Sequence, residues 1–351
     1  MKETTESKEV KLYITKRQEE FKEQLDTEKA WNAIENRIRS HRIRRWTVYA
    51  TCVTAFILVS IGGYKYIGTS LPQPSEEKEL ISCFPEKNEN KALLLLSNGN
   101  RVQLDSCQQI VEENVIATND NKGILNYQTT KDVENVSSPN TLIVPRGGSY
   151  QLCLSDGTKV WLNAESSLTY PSVFGKVGKR EVELVGEAYF EVTKATDRPF
   201  IVHTKKQNVI VLGTKFNLSA YPKAYTQTTL VEGKVCVKSL HKQQDLVLLP
   251  NQQAVLTEEC KLLKKNVDAE TYISWINGIY EFNHVSLLDI TSQLSRWYNV
   301  EIQFSNNSLK EKYFTGAISR NYELGFALEI IQEVSNVVFN RNGKTIMVSS
   351  K

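Results

Sequence analysis

Residues Trp46 to Tyr64 (WTVYATCVTAFILVSIGGY) contain no charged side chain, and this constrains the chain more than any other stretch. A helix rises about 1.5 Å per residue, so about 20 residues cross a ~30 Å hydrocarbon layer. Trp46, Tyr49, Tyr64 and Tyr66 stand near the two ends, where amphipathic rings settle at headgroup level. A signal peptide would begin near the first residue and end in an A-x-A-like site. Here a long polar segment comes first, and Ile61-Gly62-Gly63 leads directly into Tyr64-Lys65. The pattern predicts one transmembrane helix over 46–66. Arg37, Arg39, Arg42, Arg44 and Arg45 crowd its N-terminal flank, whereas Lys65 is the only basic residue near the other end before Lys78. The Lys/Arg excess stays inside, so 1–45 is expected in the cytoplasm and 67–351 outside it.

The inner segment carries narrow apolar stripes on charged helices. Phe21 and Leu25 stand four apart, and Trp31, Ile34 and Ile38 follow at i, i+3 and i+7, with Thr27 placed to cap the second helix. So short a piece buries little surface alone. It reads either as a charged tether or as a short helical hook that folds against a cytoplasmic partner, with Phe21, Leu25, Trp31, Ile34 and Ile38 as anchors.

A polar linker, 67–91, contains Pro72, Pro74 and a Glu-rich run. From 92 to about 265 the texture is short strands broken by Asn-Gly and Asp-Gly turns. Leu96-Ser97-Asn98-Gly99-Asn100 through Asp105 aligns with Leu154-Ser155-Asp156-Gly157-Thr158 through Asn163, one hairpin unit used twice. Strands are expected at 180–184 and 188–193, separated by a turn at Val185-Gly186-Glu187. Further strands are expected through 237, with a Glu232-Gly233 turn and nothing helical of any length before about 286. This stretch reads as all-β, a sandwich or a solenoid-like stack. From 275 to 351 the order becomes β-α-β, β-α-β-β, a small α+β domain. Ser286 and Asp289 form a capping-box-like pair there. Leu287, Ile290, Thr291, Leu294 and Trp297 make one apolar helix face, and Leu324, Ala327, Leu328 and Ile331 make another.

Signs of catalysis are thin. His41, His203, His241 and His284 lie far apart, none at ligand spacing from another His or Cys. No G-x-S-x-G elbow, Walker loop or H-E-x-x-H occurs. Glu181, Glu183, Glu187 and Glu191 form a run of carboxylates, but the first two alternate along a strand beside Arg180, as on a solvated β face. Val144-Pro145-Arg146-Gly147-Gly148 reads as a turn. The five cysteines beyond the helix are an odd number without a C-x-x-C pair, so not all pair within one chain. Cys153 and Cys236, between apolar neighbours, are expected to be buried small hydrophobes. A net charge of +3 is too small, and too evenly spread, to suggest nucleic-acid binding by the bulk of the chain. No cofactor, no metal and no enzyme acting on an external substrate is expected.

Several of these segments together carry a pattern. Val144-Pro145-Arg146-Gly147-Gly148, Leu154 to Ser166, Gly186-Glu187-Ala188-Tyr189-Phe190-Glu191-Val192, Arg198-Pro199-Phe200, Leu212-Gly213-Thr214-Lys215-Phe216-Asn217 and Leu230 to Val235 resemble the FecR family of membrane-bound sigma-factor regulators. Trp275-Ile276-Asn277-Gly278 and Arg296-Trp297-Tyr298 resemble the C-terminal domain of the Bacteroidetes-type members, which looks like the signalling domain of TonB-dependent receptors. The resemblance implies an inner-membrane, single-pass anti-sigma factor with a periplasmic C-terminus. Its partners would be an extracytoplasmic-function sigma factor inside and the signalling domain of a TonB-dependent outer-membrane transporter outside. That second contact could form by β-augmentation at an exposed strand edge of 275–351. The alternative is a membrane-anchored periplasmic glycan-binding protein whose inner segment is only a tether. Because some family members are processed in the periplasmic domain, Gly213-Thr214 is a candidate self-cleavage bond, the Thr214 hydroxyl attacking the Gly213 carbonyl. Membrane proteases would then act at the Gly62-Gly63 end of the helix. The competing reading makes Gly213 a bulge and Thr214 an ordinary strand residue.

The orientation is directly testable. A reporter active only outside the cytoplasm is expected to work when fused after Lys351 and to be silent when fused after His41; the reverse pattern overturns the topology.

Overall fold

Strand-length runs of alternating burial decide where the chain goes. A computed structural model describes residues 92–351, apart from 105–107, 113–114, 121–123, 130–135 and 243. The chain passes back and forth between two sheets. Strands β1 (Ala92–Leu95) and β2 (Arg101–Leu104) lie in the first, and β3 (Gln108–Glu112), β4 (Val115–Asn119) and β5 (Ile124–Thr129) in the second. Strand β6 (Pro139–Val144) returns to the first, and β7 (Tyr150–Cys153) and β8 (Lys159–Leu162) to the second. Strand β9 (Ser166–Pro171) pairs β6 in the first sheet, and β10 (Arg180–Glu191) follows it. Then β11 (Phe200–His203) and β12 (Gln207–Val211) join the first sheet, β13 (Lys215–Ala220) and β14 (Thr226–Glu232) the second. The last turn repeats the move, with β15 (Val235–Ser239) and β16 (Asp245–Leu248) in the first and β17 (Gln252–Leu256) and β18 (Leu262–Asn266) in the second. The result is a sandwich whose chain winds like a solenoid, so both architectures expected from the sequence describe it. Gln244 closes the far end, its side-chain amide donating to the Leu262 carbonyl and accepting from the Leu262 N–H.

Strand β10 is where the sequence reading needs correcting. Val185-Gly186-Glu187 is not a turn between two strands but the midpoint of one. Residues 183–185 pair β9 in the first sheet, and 188–191 pair β8 in the second. Gly186 sits at φ 95°, and a Cβ there would lie 2.7 Å from the Cα of Ser166. Only glycine lets one strand cross between sheets this close to its neighbour. The core it spans contains Phe190 stacked on Phe216 at 5.0 Å, with Phe200 at 6.3 Å.

The duplicated hairpin is real. Leu96 N–H donates to Asn100 and Gly99 N–H to Leu96; Leu154 N–H donates to Thr158 and Gly157 N–H to Leu154, all at 2.9 Å. Both glycines have φ above 80°, as the turn requires. In the second copy Asp156 also takes Arg180 Nη1 at 2.8 Å, with side chains 8% and 2% exposed. Arg180 further donates to the carbonyls of Arg198 and Thr193 and lies over the Phe200 ring. The solvated face expected around Arg180 holds for exposed Glu181 and Glu183 but not for Arg180, which points into the sandwich.

One other expectation changes. Cys153 and Cys236 are half-buried rather than buried, and both are free, as is Cys260. Their flanking residues Leu152, Leu154, Val235 and Val237 occupy the core, and a period of two turns the residue between them to the outer face. A short helical segment, too brief to overturn the expectation of nothing helical of any length, also precedes 286. It is α1 (Ala269–Ile273), capped by Asp268, and it runs into a 3-10 turn at Ser274–Asn277. Five residues are too few to display a periodicity.

The C-terminal part follows its expected order. Strand β19 (Ile279–Ser286), α2 (Leu287–Tyr298) and β20 (Glu301–Phe304) precede β21 (Tyr313–Ser319), α3 (Leu324–Val334), β22 (Val337–Asn342) and β23 (Thr345–Ser350). Its strands pair as β19–β21 and as β20–β23–β22. The Ser286 hydroxyl accepts from Asp289 N–H and donates to its carboxylate. All five residues of the expected α2 stripe are buried. Among the described residues no helix is long and apolar enough to cross a membrane. Trp46 to Tyr64 lies outside those residues.

Asp156→Ala is expected to destabilise the sandwich by about 3 kcal/mol or more, because it strands a buried guanidinium. Chemical denaturation measures this. A loss below ~1 kcal/mol would show that the Arg198 and Thr193 carbonyls alone satisfy Arg180.

Candidate functional site at the interdomain interface

The sandwich and the C-terminal part belong to one unit, and apolar side chains of both share a cluster. Tyr189 and Trp161 from the second sheet, and Ala164 from the turn after β8, pack with Trp275, Tyr280 and Trp297. Around this cluster three polar devices fix the geometry.

The first closes the C-terminal end of α2. A helix leaves its last carbonyls unpaired and carries partial negative charge there. The Pro145-Arg146-Gly147 turn supplies donors: Gly147 N–H to the Arg296 carbonyl at 2.9 Å, and Arg146 Nη2 to Ser295 Oγ at 2.6 Å and to the Val300 carbonyl at 3.2 Å. Gly147 stands at φ 83°, which suits glycine.

The second is a relay from a carboxylate. Glu187 accepts from Asn163 Nδ2 at 2.9 Å and Asn217 Nδ2 at 3.0 Å, and Asn217 Oδ1 accepts from the Trp275 indole at 3.3 Å. Beside it Tyr221 donates to the Ala164 carbonyl, and the Arg296 guanidinium lies 3.9 Å over the Tyr221 ring.

The third is Arg320, only 6% exposed. Its Nη1 donates to the Trp275 carbonyl at 2.8 Å, and its guanidinium lies 3.3 Å over the Trp297 ring. The Trp297 indole returns a bond to the Arg320 carbonyl. Burial pushes the Arg320 pKa down, while Tyr280 and Glu187 pull it back up. Burial likewise pushes the Tyr280 hydroxyl up to about 12.

This arrangement binds two bodies together. The crevice beside it, lined by Asn163, Ala164, Tyr221, Tyr280, Gln293 and Arg296, has no room for a ligand. Among the described residues no group of His, Cys, Asp or Glu is placed to hold a metal.

The family model for FecR protein matches residues 140–236, and that for FecR, C-terminal, matches 279–348. Two crystal structures of a candidate anti-sigma factor from Parabacteroides distasonis ATCC 8503 are 32% identical to this chain, each with a TM-score of 0.57. They cover 60% and 61% of this chain, and 99% of their own length is matched. The chain belongs to the FecR family. No curated protein matches it.

The FecR motifs of this chain acquire physical roles here. Arg146 and Gly147, Asn163 and Ala164, Glu187 and Tyr189, Asn217, Trp275, and Arg296 with Trp297 all meet at the interface. None was singled out for this role from the sequence, where the glycine-rich turn read only as a turn and Glu187 as one of a run. The run itself divides: Glu181 and Glu183 face solvent, whereas Glu187 is held by two amides.

Gly213 and Thr214 are placed elsewhere, on the loop between β12 and β13. Gly213 is at φ 150°, and a Cβ there would lie 2.7 Å from the Lys194 Cα. The buried Thr214 hydroxyl donates to the Lys234 carbonyl at 3.0 Å. Two segments of the family pattern, 212–217 and 230–235, thus meet at this bond. Phe21, Leu25, Trp31, Ile34 and Ile38 lie outside the described residues.

Trp275→Ala is expected to cost about 3–5 kcal/mol by opening the shared cluster and freeing Asn217. Gln293→Ala, on the crevice rim, should stay within ~0.5 kcal/mol. Hydrogen exchange in α2 reports the difference, and equal effects would rule out Trp275 as the anchor.

Proposed function

We propose that this protein is a single-pass regulator of the inner membrane, with residues 1–45 in the cytoplasm and the described residues in the periplasm. It transmits the state of a TonB-dependent outer-membrane transporter to an extracytoplasmic-function sigma factor. The observation that carries this reading is the match, at 32% identity and over 99% of its length, to a candidate anti-sigma factor.

The geometry supports such a role. The transporter's signalling domain docks on the C-terminal part, and the clasp at Arg146, Glu187, Asn217 and Trp275 ties that part to the sandwich. A pull or a bound partner at one end is therefore felt by the whole periplasmic body. Phe21, Leu25, Trp31, Ile34 and Ile38 anchor the sigma factor at the other end, beyond the helix of 46–66.

The experiment is co-purification of the sigma factor with the full chain from membranes. Trp31→Ala is expected to weaken retention roughly 30-fold, the effect of losing one buried aromatic anchor, without altering membrane insertion. A wild-type chain that retains no sigma factor would overturn this function and favour the glycan-binding alternative, in which residues 1–45 are a tether.

A further inference from the structure

Antiparallel strands with a core on one face and water on the other alternate apolar with polar residues. Four strands of the first sheet do not. Strands β11, β12, β15 and β16 contain FIV (200–202), VIV (209–211), VCV (235–237) and LVL (246–248), unbroken apolar runs of the kind found where both faces are covered. Val202, Val209, Val237 and Leu248 fill the core. The residues between form a row across the outer face: Ile201 opposes Ile210, Ile210 opposes Cys236, and Cys236 opposes Val247. None of these four belongs to either core cluster, and Val247 is 47% exposed. Exposed Leu212 and Leu249, two residues past Ile210 and Val247, extend the patch. The same registers, carried one step on, put exposed Lys234 between them. On the other side the row Glu183, His203, Asn208, Lys238 and Asp245 is polar and closes the patch.

Helix α3 is also apolar on two sides. Leu324, Ala327, Leu328 and Ile331 are buried against its core. Tyr322, Phe326, Ile330 and Val334, spaced by four, form a second apolar ridge on the opposite side. Tyr322 rests edge-on against Phe326 at 4.7 Å. Phe326 and Ile330 are half-buried without belonging to the core cluster, and Val334 is 69% exposed. The charged residues of this helix, Glu329 and Glu333, are both acidic and both exposed.

The two surfaces cannot meet within one chain. The C-terminal part packs on the outer side of the second sheet, through Trp161 and Tyr189, and the outer face of the first sheet points the other way. Between chains they match in size and in charge. The ridge is about 18 Å long at 1.5 Å per residue, and three strand spacings of about 4.8 Å make the row about 14 Å wide. A helix laid on a sheet is the layering that buries both. The helix brings two glutamates, and the sheet brings Lys234.

We propose that α3 of one copy docks on the outer face of β11, β12, β15 and β16 of a second copy, with Glu329 and Glu333 beside Lys234. The contact joins two different surfaces on opposite sides of the body. It is therefore head-to-tail and leaves each pair with one free surface of each kind for a further copy. Symmetric pairings fit less well. Two first sheets face to face bring Lys234 to Lys234 on one apolar patch, and two α3 ridges bring glutamates to glutamates. This self-association needs neither partner of the function proposed above.

The test uses two full-length versions with different tags, co-expressed in one cell. One keeps Cys236 as its only cysteine, and the other carries Ile330→Cys as its only cysteine. A short bis-maleimide should join the two tags. Val247→Glu sets an acid on an exposed position facing the glutamates, so the melting temperature should hold while cross-linking falls roughly 10-fold. Glu333→Lys on the helix-bearing chain should act alike, and Lys234→Glu on the other chain should restore the yield, as loss of packing alone would not allow. Sedimentation of the wild-type chain should show species larger than a dimer as concentration rises. Tags that are never joined, or joined equally in Val247→Glu and Glu333→Lys, overturn the assignment. Tags joined only when both chains keep Cys236 overturn it too, in favour of sheets packed face to face.

Discussion

The passage of β10 from one sheet to the other is the constraint on which the described structure depends. Among the described residues it is the one strand that hydrogen-bonds in both sheets, and it does so because Gly186 has no Cβ to strike Ser166. Its first residue, Arg180, buries a cation against Asp156. Its second half places Phe190 in the core, and Glu187 and Tyr189 on the face that meets the C-terminal part. One twelve-residue segment thereby sets the sandwich, its buried ion pair and the interface.

The interface depends on chemistry that is costly to leave half-made. Glu187 is surrounded by amide donors rather than a cation, and Arg320 rests on aromatic faces and a carbonyl rather than a carboxylate. Separating the two parts would expose the Trp275 indole and strip Asn217 of its donor. Such contacts are directional, so they define one relative orientation in a way that apolar packing alone does not. For the proposed function, that matters: the two parts are held as one coupled body.

Legibility from the sequence followed the range of the interactions. The α2 stripe from Leu287 to Trp297, the Ser286 cap and the duplicated Asn-Gly and Asp-Gly hairpins were all readable, because each depends on residues a few positions apart. Cys153 and Cys236 were misread for an equally local reason: apolar neighbours in a strand turn the residue between them outward. The interface was not readable. Asn217 and Trp275 are 58 positions apart, and Arg146 and Ser295 are 149 apart. No periodicity links such partners.

By itself, then, the amino-acid sequence determined the strand-rich body, the small α+β part after it, the family, and the expectation of a membrane helix with an arginine-flanked inner side. Those follow from periodicity, turn chemistry and charge asymmetry, all of which act along the chain. Tertiary structure alone decided that Gly186 is a crossing and not a turn, that Arg180 points inward, and that the glycine-rich Pro145-Arg146-Gly147 turn caps a helix from another domain. Each of these is a contact across space, whose energy comes from desolvated partners that only the folded chain brings together.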